Sequence, residues 1–420
     1  MPLISFFYPC LCRFSTQLGV RLLPALGLAV WLSACVSNPP APLPERPAAP
    51  TTEVAFAEGI AYAVDDLLVQ ARRLPAFQAA TGQAPAAGRP VIALDATLDA
   101  ASGMPTQATR LLDERLLMRA AASFSSFEVV PVSPAQLQRA RYVLAGSLAE
   151  EPDAASGTRR IRINLSLSDL RSGFVVAQSV ARVLAAGVDT TPTRIARDSP
   201  SLTRDRIAEG HIRTSQTPAG NEADALYLER LPVAALVNEA VRSYEAGQFD
   251  QALRFYQAAS ERPDGQQLRV LNGLYLSHQQ LGQAQAAEAA FRRIVALGLA
   301  TNALSVKFLF RPASTDFLSD PSISAPYDLW VRAIGLEAVH AGVCLMVVGH
   351  TSRTGSETFN ERLSLQRAQV MQRRLEQAAP ELRGRMQFSG VGFRENLVGS
   401  GTDDLRDALD RRVEFRVRGC

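Results

Sequence analysis

The side chains that could do chemistry in this 420-residue sequence are few and widely spaced. Asn360 and Arg367 stand seven residues apart in a helical pattern, so both project from one face, two turns from each other. A guanidinium in that position can offer two parallel N–H donors to one carboxylate and does not lose its charge. Asp95 and Asp99 follow the apolar run that starts at Val91 and could form a carboxylate pair for acid–base work. Acidic residues at the end of a strand more often serve the turn or cap the next helix. The four histidines, His211, His278, His340 and His350, are scattered, and no Cys/His group has zinc spacing, so neither a metal nor a cofactor is expected. No nucleophile stands beside a base, so no catalytic residue is assigned and an enzyme is not expected. Three of the five cysteines, Cys10, Cys12 and Cys35, fall in the first tenth of the chain. Cys344 and Cys420 remain, and only their separation in space decides whether they pair.

Cys35 offers a different chemistry. Arg13 and Arg21 precede the apolar run LLPALGLAVWLSAC, which is too short to stay in a bilayer as a spanning helix and reads as an export signal over 1–34. The run ends in Leu32-Ser33-Ala34-Cys35, which resembles the lipobox of bacterial lipoproteins. The resemblance implies cleavage before Cys35 and acylation of its thiol; one acyl chain anchors weakly, several anchor stably. Val36 follows, not the aspartate that signals inner-membrane retention in such lipoproteins, so the expected location is the outer membrane, facing the periplasm. Residues 35–52 are rich in proline and alanine and predict an extended tether. The formal charge of +3 is small and spread out, which argues against a nucleic-acid partner.

The rest of the chain has room for three compact units, which predicts a multidomain α/β protein. Over 53–190, helical spacing from Val54 to Leu68 gives way to the strand of VIALDATLDAASG. A helix near Thr106–Ser123 follows, then FEVVPVS, and then three strand-like runs ending in FVVAQSVARV. This is an α/β domain with a mixed sheet. It resembles periplasmic domains of lipoprotein activators of penicillin-binding proteins and of curli and flagellar accessory lipoproteins. Residues 191–230 lack sustained periodicity and read as a mobile or loosely packed linker. In 231–300, Gly247, Ala252 and Tyr256 are matched about 35 residues later by Gly282, Ala287 and Phe291. The repeat resembles tetratricopeptide repeats, with Leu236 and Leu271 at the tryptophan-type position, and predicts a short helical-repeat module.

The stretch 305–418 carries a fixed set of residues in one order. Gly349, Thr351, Gly355, Asn360, Leu363, Ser364, Arg367, Ala368, Arg411, Arg412, Val413 and Glu414 fall on the pattern of the OmpA-like peptidoglycan-binding domain, which they resemble. The resemblance implies a C-terminal α/β domain whose groove holds the diaminopimelate end of a peptidoglycan stem peptide through Thr351, Ser352, Asn360, Arg367 and Arg411. In that family an arginine takes the ligand's carboxylate and an aspartate takes its ammonium. Ser352 stands where the aspartate would be and cannot offer a charge-assisted bond; Glu357, Glu361 and Asp316 are the acids that could substitute. Asp410 replaces the family's asparagine before the two arginines and could pair with either. The expected function is non-enzymatic: an outer-membrane lipoprotein that links the membrane, through lipid on Cys35, to peptidoglycan and scaffolds periplasmic partners. The alternative is a regulator or assembly component of a cell-wall synthesis, secretion or appendage system whose C-terminal domain no longer binds peptidoglycan.

Overall fold

A computed structural model describes residues 45–50, 52–78, 89–152, 159–311, 313–397, 401, 407 and 410–420. The signal segment 1–34, Cys35 and much of the tether lie outside the described residues. Among the described residues no helix is long and apolar enough to cross a membrane.

The apolar stripe near the start of the first unit forms α1 (Phe56–Arg72), which buries Ile60, Val64, Leu67 and Leu68. A short α2 (Pro75–Gln78) follows, then β1 (Val91–Leu94), β2 (Leu98–Asp99), α3 (Gln107–Ser123), β3 (Glu128–Pro131) and α4 (Pro134–Arg139). Three long strands complete the unit: β4 (Ala140–Pro152), β5 (Arg159–Asp169) and β6 (Val175–Leu184). The sheet runs β3-β1-β4-β5-β6, with β2 also on β4. β1 is parallel to β3 and β4, whereas β4, β5 and β6 are antiparallel neighbours, so the sheet is mixed. Thr106 and Thr109 cap α3 reciprocally, each side chain meeting the other's backbone N–H. α1 covers the antiparallel half, and Ile60, Leu67 and Leu68 share a core with Ile163, Leu165 and Val183. Each such side chain contributes roughly 1.5–3 kcal/mol when fully buried.

The 191–230 stretch is not a loose linker. It carries α5 (Arg194–Asp198), α6 (Arg206–Gln216) and α7 (Ala225–Glu229), and it buries Ser199, Ser201, His211, Thr214 and Ser215. The polar composition that reads as exposure is satisfied internally. Ser199 Oγ donates to Asn272 Oδ1 (2.7 Å), and Ser215 Oγ lies 2.7 Å from Ser147 Oγ. Asp205 caps α6 through the N–H groups of Ile207 and Ala208. Hydrophobic periodicity detects burial only where the buried face is apolar, and this face is largely hydroxyl and imidazole.

Where the repeat is read there are two helical hairpins, α8 (Leu231–Glu245) with α9 (Phe249–Glu261), and α10 (Leu268–Gln280) with α11 (Ala284–Ala300). Gly247 and Gly282 open the two turns at φ 75° and 69°, a conformation that costs other residues strain. Ala252 and Ala287 are buried at the contacts. The C-terminal part adds β7 (Leu304–Val306), a short α12 (Pro321–Ser324), α13 (Tyr327–His340), β8 (Cys344–Gly349), α14 (Glu357–Ala378), β9 (Met386–Gly390) and β10 (Val413–Arg418). Its sheet is ordered β7-β10-β8-β9, β10 antiparallel to both neighbours and β8 parallel to β9. Cys344 and Cys420 form a disulfide, their Cα atoms 5.3 Å apart, which ties the start of β8 to the chain just past β10.

No boundary separates the hairpins from this sheet. Tyr275, Phe291, Phe308, Tyr327, Trp330 and Phe415 belong to one hydrophobic core. Trp330 stacks on Phe291 with centroids 5.3 Å apart and donates its indole N–H to Tyr275 Oη (3.0 Å).

Candidate functional site

Four segments of the C-terminal unit meet where the sequence pattern places its site. The loop after β8 carries Thr351 and Ser352, 1% and 6% exposed, and α14 carries Asn360 and Arg367 on its buried face, both at 2%. The helix lies close against the sheet because two strand ends have no side chain there: a Cβ on Gly349 would sit 2.1 Å from Ser364 O, and one on Gly390 2.2 Å from Leu365 N. Ser364 Oγ accepts from Gly392 N–H (2.9 Å), and Thr351 N–H donates to Gly392 O (2.9 Å), so helix, β8 loop and β9 loop are stitched at one point.

Arg367 lies one helical turn beyond Ser364. Its Nε donates to Ser314 O (3.1 Å), its Nη2 donates to Arg311 O (3.2 Å), and its guanidinium stacks over the Phe310 ring at 4.8 Å. The loop between β7 and α12 therefore closes over this cation. Asp316 belongs to that loop, its carboxylate accepting from Ser314 Oγ (3.3 Å). Glu357 and Glu361 instead form ion pairs with Arg394. Asn360 Nδ2 donates to Thr354 O (2.8 Å) and Ser356 O (3.1 Å), bracing the turn before α14. Thr351 Oγ1 is buried without a hydrogen-bond partner among the described residues. Arg411 is half-buried just before β10, and Asp410 accepts from Leu397 N–H (2.6 Å).

Beside this point lies an ion network that sequence reading passed over. Glu414 Oε1 accepts from Arg412 Nη2 (2.7 Å) and Glu414 Oε2 from Arg416 Nη2 (2.7 Å), while Arg416 also reaches Glu395 (2.7 Å). Burial pushes the Glu414 carboxyl up, but the His350 contact and the two arginines outweigh it and hold the group well below the usual carboxylate range. His350 is 0% exposed, its Nε2 3.5 Å from Glu414 Oε1; burial lowers its pKa, and Glu414 only partly offsets that. His350, Glu395 and Glu414 could in principle share a metal, since their ligand atoms lie within 4.8 Å of one another. Both Glu414 oxygens already accept from guanidinium groups, which balance its charge. The alternation Arg412, Glu414, Arg416 at strand period was the signal for it.

The other pair of acids separates. Asp99 accepts from Ser102 N–H (2.8 Å) and Oγ (2.6 Å) and so serves its turn. Asp95 is buried against His211, Tyr227 and Asn238. Burial raises its pKa, but the His211 hydrogen bond and charge, with help from Arg269 and Asn238, bring it down to about 2.

No known family's profile matches the chain. Part of it is similar to outer membrane protein A of Shimwellia blattae, at 36% identity over 84 residues, which covers 18% of this chain and 34% of that protein. The chain thus spans about a third of the length of that curated relative. Among solved structures, the peptidoglycan-associated lipoprotein from Burkholderia pseudomallei aligns at 20% identity and TM-score 0.23, covering 27% of this chain and 89% of that one. The OmpA-like domain of FopA1 from Francisella tularensis aligns at 14% identity and TM-score 0.22, covering 28% and 75% respectively.

Proposed function

We propose that the chain is an outer-membrane lipoprotein, anchored by lipid on Cys35, whose C-terminal OmpA-like unit binds the stem peptide of peptidoglycan without catalysing a reaction. The observation that carries this reading is the close seating of α14 on the end of β8, Gly349 against Ser364 and Ala368, with the residue types in the order of the OmpA-like pattern. The partial likeness to outer membrane protein A supports it. In this account Arg367 takes the carboxylate of the diaminopimelate end, exchanging one or both loop carbonyls for the ligand, and Asn360 holds the adjoining turn. Ser352 offers the ammonium no charge. Glu357 and Glu361 are engaged with Arg394, so we assign the ammonium to Asp316, carried by the loop that covers Arg367. The helical hairpins, read as tetratricopeptide-like, and the first α/β unit then face periplasmic partners.

Calorimetric titration with a soluble diaminopimelate-containing tripeptide tests the site. Saturable binding that falls about tenfold or more in Arg367→Ala, as expected for a hydrogen bond to a charged group, supports it. A second reading draws on Arg367 already donating to Ser314 O and Arg311 O: a unit that has turned from the wall to a protein partner, making the chain an envelope regulator or assembly component. Absence of tripeptide binding by the folded wild type favours that reading. Release of the chain from the membrane fraction by Cys35→Ser tests the anchor separately.

A further inference from the structure

Between the first α/β unit and the helical hairpins lies a cavity of about 100 Å³. It opens at the carboxyl end of β1, where Asp95 follows the strand. β1 lies between two parallel neighbours, β3 and β4, and the chain leaves it through α3 to one side. In open α/β sheets such a reversal of strand order leaves a crevice at the strands' carboxyl ends, the usual place for a ligand. Here α6, α8 and α10 line that crevice. Leu98, Met104, Ile195, Val237 and Val241 give it apolar walls.

The polar groups on the wall are not all paired. Asp95 receives three donors: His211 Nδ1 at 3.1 Å, Tyr227 Oη at 3.0 Å and Asn238 Nδ2 at 2.7 Å. The other nitrogen of His211 lies 2.9 Å from Gly146 O, so both ring nitrogens are engaged within the protein. Arg269 also lines the cavity. Its Nε donates to Gln267 Oε1 (2.8 Å), and its Nη2 is buried with no acceptor among the described residues. A guanidinium always carries its charge, and a buried N–H without an acceptor is costly to leave unpaired.

We propose that this cavity binds a short-chain monocarboxylate, its carboxylate on Arg269 and its alkyl chain against Leu98, Val237 and Val241. The size follows from comparison: a dry cavity of about 150 Å³ takes benzene, so this one takes a ligand of roughly four to six non-hydrogen atoms. A zwitterionic amino acid fits less well, because Asp95 is already committed to three protein donors. Inorganic phosphate would leave its oxygens facing apolar walls with one guanidinium to serve them.

The test is calorimetric titration of the full chain, purified in detergent, with butyrate, alanine and phosphate. Butyrate should bind saturably and more tightly than the other two. Arg269→Gln should weaken butyrate at least tenfold. Val241→Phe, which fills the cavity and leaves every charge in place, should abolish binding. Should Arg269→Gln fail to fold, Val241→Phe decides alone. No saturable butyrate binding by the folded wild type, tighter binding of alanine or phosphate, or butyrate binding unchanged in Val241→Phe each overturns the proposal.

Discussion

Arg412 is 3% exposed, and the Glu414 carboxylate answers its charge with two hydrogen bonds to one oxygen. Removing one partner of a buried pair leaves the other charge uncompensated, which costs about 3–5 kcal/mol. Glu414→Gln should therefore lower unfolding free energy by about that much, read from denaturant melts at neutral pH. Because the Glu414 pKa is lower in the folded state than in the unfolded one, its contribution is present at neutral pH and is lost as pH falls below the ordinary carboxylate range. The same melts at descending pH should show wild type and variant converging; a constant gap would mean that the pairing contributes no net stability. At the neighbouring site, Asp316→Asn should weaken tripeptide binding, and Ser352→Asp should leave it at least as strong as in wild type, since it places an opposite charge near the ligand's amine. The pattern from Gly349 to Glu414 was legible in sequence because it is local and ordered. The closure of the Phe310–Asp316 loop over Arg367 was not, because backbone carbonyls have no residue signature.

At the scale of elements, Lys307 follows β7 and donates to Ala196 O (2.8 Å) and Arg197 O (2.9 Å), fastening α5 to the C-terminal sheet. Burial lowers its pKa to about 7. The folded state then holds fewer protons than the unfolded state between about 7 and the ordinary value of 10.5, so stability rises with pH across that window. Against Lys307→Met, wild type should gain on the order of 1 kcal/mol per pH unit from 7 to 9. A pH-independent difference would place the amine in a better solvated setting. In the hairpins, Ala287 is 2% exposed, and Ala287→Leu should cost about 1–3 kcal/mol by overpacking, seen as a lower melting temperature. The hairpin helices and the long strands were legible because their apolar residues repeat at 3.6 or 2. α5 and α6 were hidden because hydroxyl groups, His211 and a lysine from 111 residues further on satisfy their buried surface.

Across the whole molecule, the Tyr275, Phe291 and Trp330 cluster makes the hairpins and the C-terminal sheet one cooperative body, so a cut near residue 302 would expose an aromatic core. The Cys344–Cys420 disulfide spans 76 residues of that body, and Cys420→Ser should cost about 2–4 kcal/mol in denaturant melts. The order of helix-rich and strand-rich stretches was legible in sequence, but the core shared by the hairpins and the C-terminal sheet was not, because its partners lie far apart in sequence. Lipid at one end and wall contact at the other make a tether only if the folded chain binds the wall itself. Co-sedimentation of the purified wild type, Arg367→Ala and Ser352→Asp with isolated peptidoglycan sacculi measures this directly. The account predicts that wild type pellets with sacculi, that Arg367→Ala binds about tenfold or more weakly, and that Ser352→Asp binds at least as well as wild type. Folded wild type and Ser352→Asp that both stay in the supernatant, or Arg367→Ala that pellets as wild type does, would contradict it.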